Sequence, residues 1–263
     1  MKGNAKIFLL AAILSTLFAG IFGMQQLAFA HENNQNNNKI PLAESKLIIE
    51  NNAKDKDTGF QGFIDSEEGW KRITVTDPNG NKVLDFRPEG KLGKLGLTEL
   101  FFESTEPENK DVPIPDLLKT LPEGNYTFKG FTADSAEEQG TLIGMATFSH
   151  DIPEAPAILS PAENTTIPKG GDLSVSWSSV DKNIDGSDAN ITAFQLTIEK
   201  ETAQPEPHMI GTFGFTMNLP PSVTEITIPK EVFEPGSDYS LEVLAIEENG
   251  NQSINATSFS TGD

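Results

Sequence analysis

Pro235-Gly236-Ser237-Asp238-Tyr239-Ser240-Leu241-Glu242-Val243-Leu244-Ala245 is the stretch from which the fold can be read. Proline, glycine, serine and aspartate in succession signal a turn. Behind it, Tyr239, Leu241, Val243 and Ala245 recur at every second position, the period of a strand with one face in a core. Asn249-Gly250-Asn251 ends the segment as a tight turn, so the following residues, 252–261, are expected to return as a partner strand.

Outward from this stretch the rhythm continues. Strands are expected at 157–161, 172–177, 193–201, 208–217 and 225–229, and upstream at 46–51, 58–64, 71–77, 82–87, 97–104, 125–133 and 141–149. Asp77-Pro78-Asn79-Gly80 marks a tight turn between two of them. The chain shows no amphipathic helix of ordinary length, although 116–121 fits a single helical turn. The fold class is therefore all-β, with two β-sandwiches in tandem at 46–150 and 157–263. Between them lies a 151–156 linker, in which Pro153 and Pro156 cannot donate ladder hydrogen bonds and stiffen the chain. Units joined in this way are expected to stack end to end.

In the second unit, Leu173-Ser174-Val175-Ser176-Trp177 resembles the second strand of a fibronectin type III domain, with its tryptophan in the core. Phe194-Gln195-Leu196-Thr197-Ile198 resembles the third strand. Pro235 to Tyr239, with Leu241, Val243 and Ala245, is similar to that family's tyrosine corner and sixth strand, and Asn249-Gly250-Asn251 to its last hairpin. The first unit carries a fainter echo: Ile114-Pro115 leads to Pro122-Glu123-Gly124-Asn125-Tyr126 much as Ile228-Pro229 leads to the corner at Tyr239. That implies an immunoglobulin-like sandwich there as well.

At the N-terminus, Lys2 and Lys6 introduce an apolar run from Ile7 to Phe22, followed by Ala28-Phe29-Ala30. This is the order of a secretory signal peptide, with cleavage expected between Ala30 and His31. Residues 31–45, rich in asparagine, read as a flexible leader. The processed protein is expected to have no membrane span and to work outside the cytoplasm, in the periplasm or the extracellular space. Five Asn-x-Ser/Thr triplets, at Asn125, Asn164, Asn190, Asn251 and Asn255, are explained by an Asn- and Thr-rich composition.

The 263 residues contain no cysteine and carry a formal charge of −20. Disulfides, zinc–thiolate sites and cysteine nucleophiles are thereby excluded. Nucleic acid is a poor partner for so acidic a chain, because phosphate binding needs clustered Lys and Arg. Removing residues 1–30, which hold two lysines and no acid, takes the charge from −20 to −22.

Catalysis has little to stand on. His31, His150 and His208 are far apart in sequence and lie beside no triad, zinc or phosphate-loop motif. The expectation is a non-enzyme. A more informative constellation is Asp181-Lys182-Asn183-Ile184-Asp185-Gly186-Ser187-Asp188, where Asp181, Asn183, Asp185 and Asp188 offer oxygen donors around a turn glycine, as loops that wrap calcium do. The twelfth position, counted from Asp181, is Thr192 and not the bidentate glutamate of a calcium hand. Asp55 and Asp57 form a second acidic turn. Sandwich topology puts both turns at the junction between the units, where calcium is the expected cofactor, if there is one, and would stiffen the tandem.

Trp70 and Trp177, the two tryptophans, would have to be exposed to form a sugar platform, and core roles suit them better. Leu100-Phe101-Phe102 and the pair Phe213, Phe215 read as inward-facing strand residues. The expected function is a secreted binding or structural module whose partner is a protein or glycan of the cell envelope, with a carbohydrate-binding protein as the alternative.

Overall fold

A computed structural model describes residues 39–133, 140–201 and 214–263. The expected signal peptide, His31, His208, Phe213 and the first part of the strand expected at 208–217 lie outside the described residues. The first unit comprises β1 (Lys39–Pro41), β2 (Glu44–Asn52), β3 (Asp57–Thr76), β4 (Lys82–Phe86), a short helix α1 (Leu92–Leu95), β5 (Leu97–Glu103), α2 (Ile114–Leu117), β6 (Gly124–Thr132) and β7 (Thr141–Phe148). The second comprises β8 (Ile158–Ser160), β9 (Thr165–Ile167), β10 (Leu173–Trp177), β11 (Ile191–Lys200), β12 (Gly214–Leu219), β13 (Glu225–Ile228), β14 (Asp238–Glu247) and β15 (Gln252–Thr261).

The second unit follows the fibronectin type III-like plan. Strands β8, β10 and β13 form one sheet, and β15, β14, β11 and β12 form the facing one. Alternation fills the space between them: Leu173, Val175 and Trp177 from β10 meet Phe194, Leu196 and Ile198 from β11 and Tyr239, Leu241 and Val243 from β14. The tyrosine corner is present, since the Tyr239 hydroxyl accepts a hydrogen bond from the Glu234 amide at 2.8 Å. The first expected strand is followed by a separate short strand, β9, which pairs in parallel with the end of β15.

The first unit is also a sandwich with its own core, built on Ile49, Ile64, Trp70, Tyr126, Phe128 and Phe148. Its Tyr126 forms a second corner, its hydroxyl donating to the Pro122 carbonyl at 2.8 Å. Two expectations change here. The strands at 58–64 and 71–77 are one 20-residue strand, β3. A bulge between Asp65 and Trp70 bends it, with Gly69 at φ 66° supplying the left-handed residue, so that its first half pairs with β2 and β5 and its second with β4 and β6. The leader also ends sooner than 45, because Lys39–Pro41 pair in parallel with Thr141–Ile143 of β7 and Glu44 opens β2. Alternation also turns Phe101 outward, with Leu100 and Phe102 packed on the core, which corrects the inward reading of that run. The helical turn expected at 116–121 appears as α2 and a 3-10 turn at Leu118–Thr120.

End-to-end stacking is corrected most. Gln252, Ser253 and Ile254 of β15 pair in parallel with Glu50, Asn51 and Asn52 of β2, so one hydrogen-bonded sheet runs from β1 to β12 through both units. The free edges of β2 and β15 satisfy one another, which is how a sheet edge is ordinarily kept from unwanted partners. The linker is equally occupied. Ile152 is buried in the first core, and its carbonyl accepts the Ile184 amide while Glu154 donates to the Lys182 carbonyl.

Candidate functional site

The strand pairing at the junction brings a polar lock with it. Asn251 is 1% exposed. Its Oδ1 accepts the Ile49 amide at 2.8 Å, and its Nδ2 donates to the Ser149 and Asp151 carbonyls at 3.0 and 2.7 Å. One side chain thus ties β2, the linker and β15 together. Next to it, Asn51 Nδ2 donates to the Ser253 hydroxyl at 3.1 Å, which donates in turn to the Pro153 carbonyl at 2.5 Å. Asn251 is therefore a structural hub, although its triplet has the form of a glycosylation acceptor. Buried polar groups satisfied this fully fix one relative arrangement of the elements they join.

One residue further along the ladder, the lock becomes acidic. Glu50 is 3% exposed and accepts a hydrogen bond from Gln252 Nε2, its partner in register on β15. Gln252 also reaches Gln61 Oε1 at 3.3 Å, and Gln61 donates to Glu103 Oε1 at 2.7 Å. Carboxylate oxygens of Glu50, Glu103 and Glu106 lie within 4.8 Å of one another. Gly59 makes room for this: a Cβ there would come within 2.7 Å of Glu106 Cγ. Two buried oxygens, Glu106 Oε1 and Asp57 Oδ1, have no hydrogen-bond partner.

Burial with so many like charges disfavours ionisation. Desolvation, opposed by the Gln252 hydrogen bond, pushes Glu50 up to about 7. Glu106 is pushed up to about 8 by burial first and then by Glu50, Glu103, Asp57 and Asp55. Asp57 is raised by burial and by Asp55. On the outer face of β14, Glu242 is raised to about 7 by burial, with Glu199 and Asp55 as charged neighbours.

The turn expected to hold calcium is built differently. Asp185 Oδ1 accepts the Ser187 amide and hydroxyl at 2.9 and 2.6 Å, and Asp188 Oδ1 pairs with Lys182 Nζ at 2.5 Å. These contacts hold both carboxyls below their ordinary range. Asn183, 2% exposed, donates to Ser187 Oγ and to the Asp188 carbonyl, leaving its buried Oδ1 without a partner. Asp181 accepts the Ala189 amide through its main-chain carbonyl. The turn pins the linker through its backbone, with Asp185 held by Ser187 and Asp188 by Lys182. In the first unit, Asp55 Oδ2 accepts from Asn52 Nδ2 at 3.1 Å, and Asp57 reaches toward the glutamate cluster. Of the six residues named from the sequence, Asp55 and Asp57 are the two whose charge bears on that cluster.

Glu50, Glu103, Glu106 and Glu242 escaped the sequence reading. Glu50 and Glu242 carry one signal, an acid at an interior position of a strand, whereas Glu103 ends β5 and Glu106 lies beyond it. His150 is half-buried: its Nε2 donates to the Leu121 carbonyl at 2.8 Å and its ring meets Phe148 edge-on. Trp70 and Trp177 are 0% and 2% exposed, and both tyrosines are buried. Among the described residues, the exposed large apolar side chains are Leu92, Leu95, Phe101, Met145, Leu159 and Ile184, which form no aromatic row. Among the described residues, a small pocket of about 30 Å³ lies between Ile167–Gly171, Lys230 and Phe233.

No family model and no curated protein matches the sequence. Solved structures similar to it include the fibronectin(III)-like modules of Clostridium thermocellum CbhA, at 8% identity and TM-score 0.32 over 83% of this chain and 94% of that one. A two-domain fibronectin type III segment of chicken tenascin matches at 11% identity and TM-score 0.28, covering 84% and 99%. Three fibronectin domains of chicken CNTN1 match at 10% identity and TM-score 0.35, covering 86% and 68%. Strand order and the two tyrosine corners define the fold. No helix of the described residues is long and apolar enough to cross a membrane.

Proposed function

We propose that this protein is an exported, non-catalytic structural or binding module whose two sandwiches act as one rigid piece. The observation that carries this reading is the junction, where a shared ladder is locked by Asn251, Ser253 and Gln252. A tandem on a free linker presents its surfaces in changing relation, whereas a joined sheet presents both in one fixed geometry. Such an object suits a spacer or a display platform at the cell envelope, with a protein or glycan surface as partner. The carbohydrate alternative has lost the tryptophan platform it needed, since both indoles are core residues. Fractionation of the producing cell tests the export half of the reading. The expected result is protein outside the cytoplasm with His31 as its first residue, and a cytoplasmic chain retaining Met1 would overturn it.

Calcium at the junction is retained as a second reading because Glu106 Oε1 and Asp57 Oδ1 are buried without partners beside Glu50 and Glu103. Hard oxygen donors of this kind suit calcium. A cation there would offset the mutual repulsion of the carboxylates, raising the melting temperature at pH 8 in calcium relative to chelator. An unchanged transition, with no metal bound after dialysis, counts against it.

A further inference from the structure

Between β4 and β5 the chain leaves the first sandwich and returns to it. Phe86 before this excursion and Leu97 after it pack on the core, while α1 between them buries no residue. Leu92 and Leu95 are 57% and 75% exposed. Three positions apart, they share one face of the turn, with Lys91 and Lys94 alongside. The excursion is held by its own backbone: the Gly93, Lys94 and Gly96 amides donate to the Glu89, Lys91 and Leu92 carbonyls. Gly96, at φ 79°, seats its end on the sandwich, where a Cβ would come within 2.6 Å of Ala133 Cβ and 3.0 Å of the Trp70 carbonyl oxygen. The result is a fixed, projecting knuckle whose apolar side chains serve no core.

The local charge is inverted as well. The chain carries −20, yet residues 87–96 set Arg87, Lys91 and Lys94 against the single acid Glu89. All three cations are exposed, and none forms an ion pair among the described residues. On the neighbouring strands, by contrast, Arg72 and Lys82 are both bound to Asp85. We propose that the knuckle is a docking tip for an anionic lipid bilayer, with Arg87, Lys91 and Lys94 on headgroup phosphates and Leu92 and Leu95 in the acyl boundary beneath them. The inference goes beyond the rigid-module reading by assigning the end of the module that meets a surface.

An anionic bilayer suits both kinds of side chain at once. Its surface attracts each basic residue held against it, and the hydrocarbon just below takes apolar side chains at a depth a single helical turn reaches. An acidic protein surface would pair the lysines and leave the leucines in water. A second copy brings a charge of −20 of its own and is repelled. The exposed acids Glu67, Glu68 and Glu99 lie near the root of the knuckle, so binding is expected to be reversible and to weaken steeply with salt. From this tip β5 runs seven residues, about 20 Å, to Glu103 at the junction, which leaves the β2–β15 ladder clear of the bilayer.

The test is co-sedimentation with vesicles, using the chain from His31 onward, because the apolar run at 7–22 would bind lipid by itself. Both cores lie within that chain. At about 0.1 M salt, where exposed charges still act over several ångströms, binding is expected to vesicles of equal parts phosphatidylglycerol and phosphatidylcholine and not to phosphatidylcholine alone. K91Q/K94Q and L92S/L95S should each lower the partition coefficient at least about tenfold, the first through lost surface attraction and the second through lost apolar burial. Neither variant should shift the melting temperature, since α1 has no buried residue. In L95W the added indole should emit further to the blue with the anionic vesicles and be quenched by brominated lipid. No binding by the parent chain, or binding that survives both double substitutions, would overturn the proposal. So would binding that needs the lysines but not the leucines, with the L95W emission unmoved, which would mark an acidic partner surface. Self-association abolished by L92S/L95S, without vesicle binding, would assign the tip to a second copy and overturn it too. None of these outcomes bears on the rigid module, which concerns the relative orientation of the two units.

Discussion

The turn at Asp181–Asp188 and the cluster of Glu50, Glu103 and Glu106 are both crowded with carboxylates, yet their electrostatics run in opposite directions. In the turn, acids lie within reach of Lys182, the Ser187 amide and the Ser187 hydroxyl, so ionisation is favoured. In the cluster, carboxylates from β2, β5 and the segment after it are packed with one another behind a protein–protein ladder, so ionisation is opposed. The difference shows that acid density along a sequence says little about electrostatic stress. What matters is whether folding brings donors or other acids to each carboxylate, and how much water is left.

Five substitutions set the two regions against each other. Asn251→Ala should have the largest effect, because it strands the Ile49 amide and the Ser149 carbonyl and removes one of the two side-chain donors to the Asp151 carbonyl. A loss of about 3 kcal/mol in urea melts is expected, each buried group left unsatisfied costing on the order of 1–3 kcal/mol. The matching change in the turn, Asn183→Ala, should cost less, and an equal loss would show that the junction is no more firmly locked than a surface loop. Gly59→Ala comes next. It drives a methyl to within 2.7 Å of Glu106 Cγ, so a destabilisation of about 2 kcal/mol is expected from overpacking. Because it also displaces Glu106, it should flatten the pH dependence, which a mere packing defect would leave intact.

Glu106→Gln is expected to act in the other direction. The wild type should lose thermal stability between pH 5 and pH 8, since burial and neighbouring acids raise its carboxyls, and the variant should lose less of it. A gain of about 1 kcal/mol at pH 8 is the right scale once solvent screening of this partly exposed group is allowed for. The smallest effect belongs to Asp188→Asn. The Lys182 pair it breaks is a surface pair, with Asp188 91% exposed, and no resolvable change in melting is expected at physiological salt. A sizeable loss there, or none in Asn251→Ala, would invert the ranking of the two regions.

The sequence made the strands visible because the two core faces alternate strictly, as along Tyr239, Leu241, Val243 and Ala245. The corners were legible for the same local reason, a tyrosine at fixed distance behind a turn. The union of 58–64 and 71–77 was not, since Asp65-Ser66-Glu67-Glu68-Gly69 is as polar as any turn and only the β5 and β6 partners reveal it as a bulge. Nor was the shared sheet. Pairing of Glu50 with Gln252 depends on two edges 202 residues apart finding each other, and nothing in either strand alone specifies its partner. Asp57 was found as a member of an acidic turn, while the glutamates it faces are spread over three segments and meet only in the fold.

Whether the two sandwiches move as one body can be measured by residual dipolar couplings of backbone amides in weak alignment. At pH 5.5 the couplings from the β6–β7 and β14–β15 ladders should fit a single alignment tensor of one magnitude and orientation. Two tensors of different magnitude, one for each unit, would mean that the sandwiches reorient independently and would contradict the single rigid body.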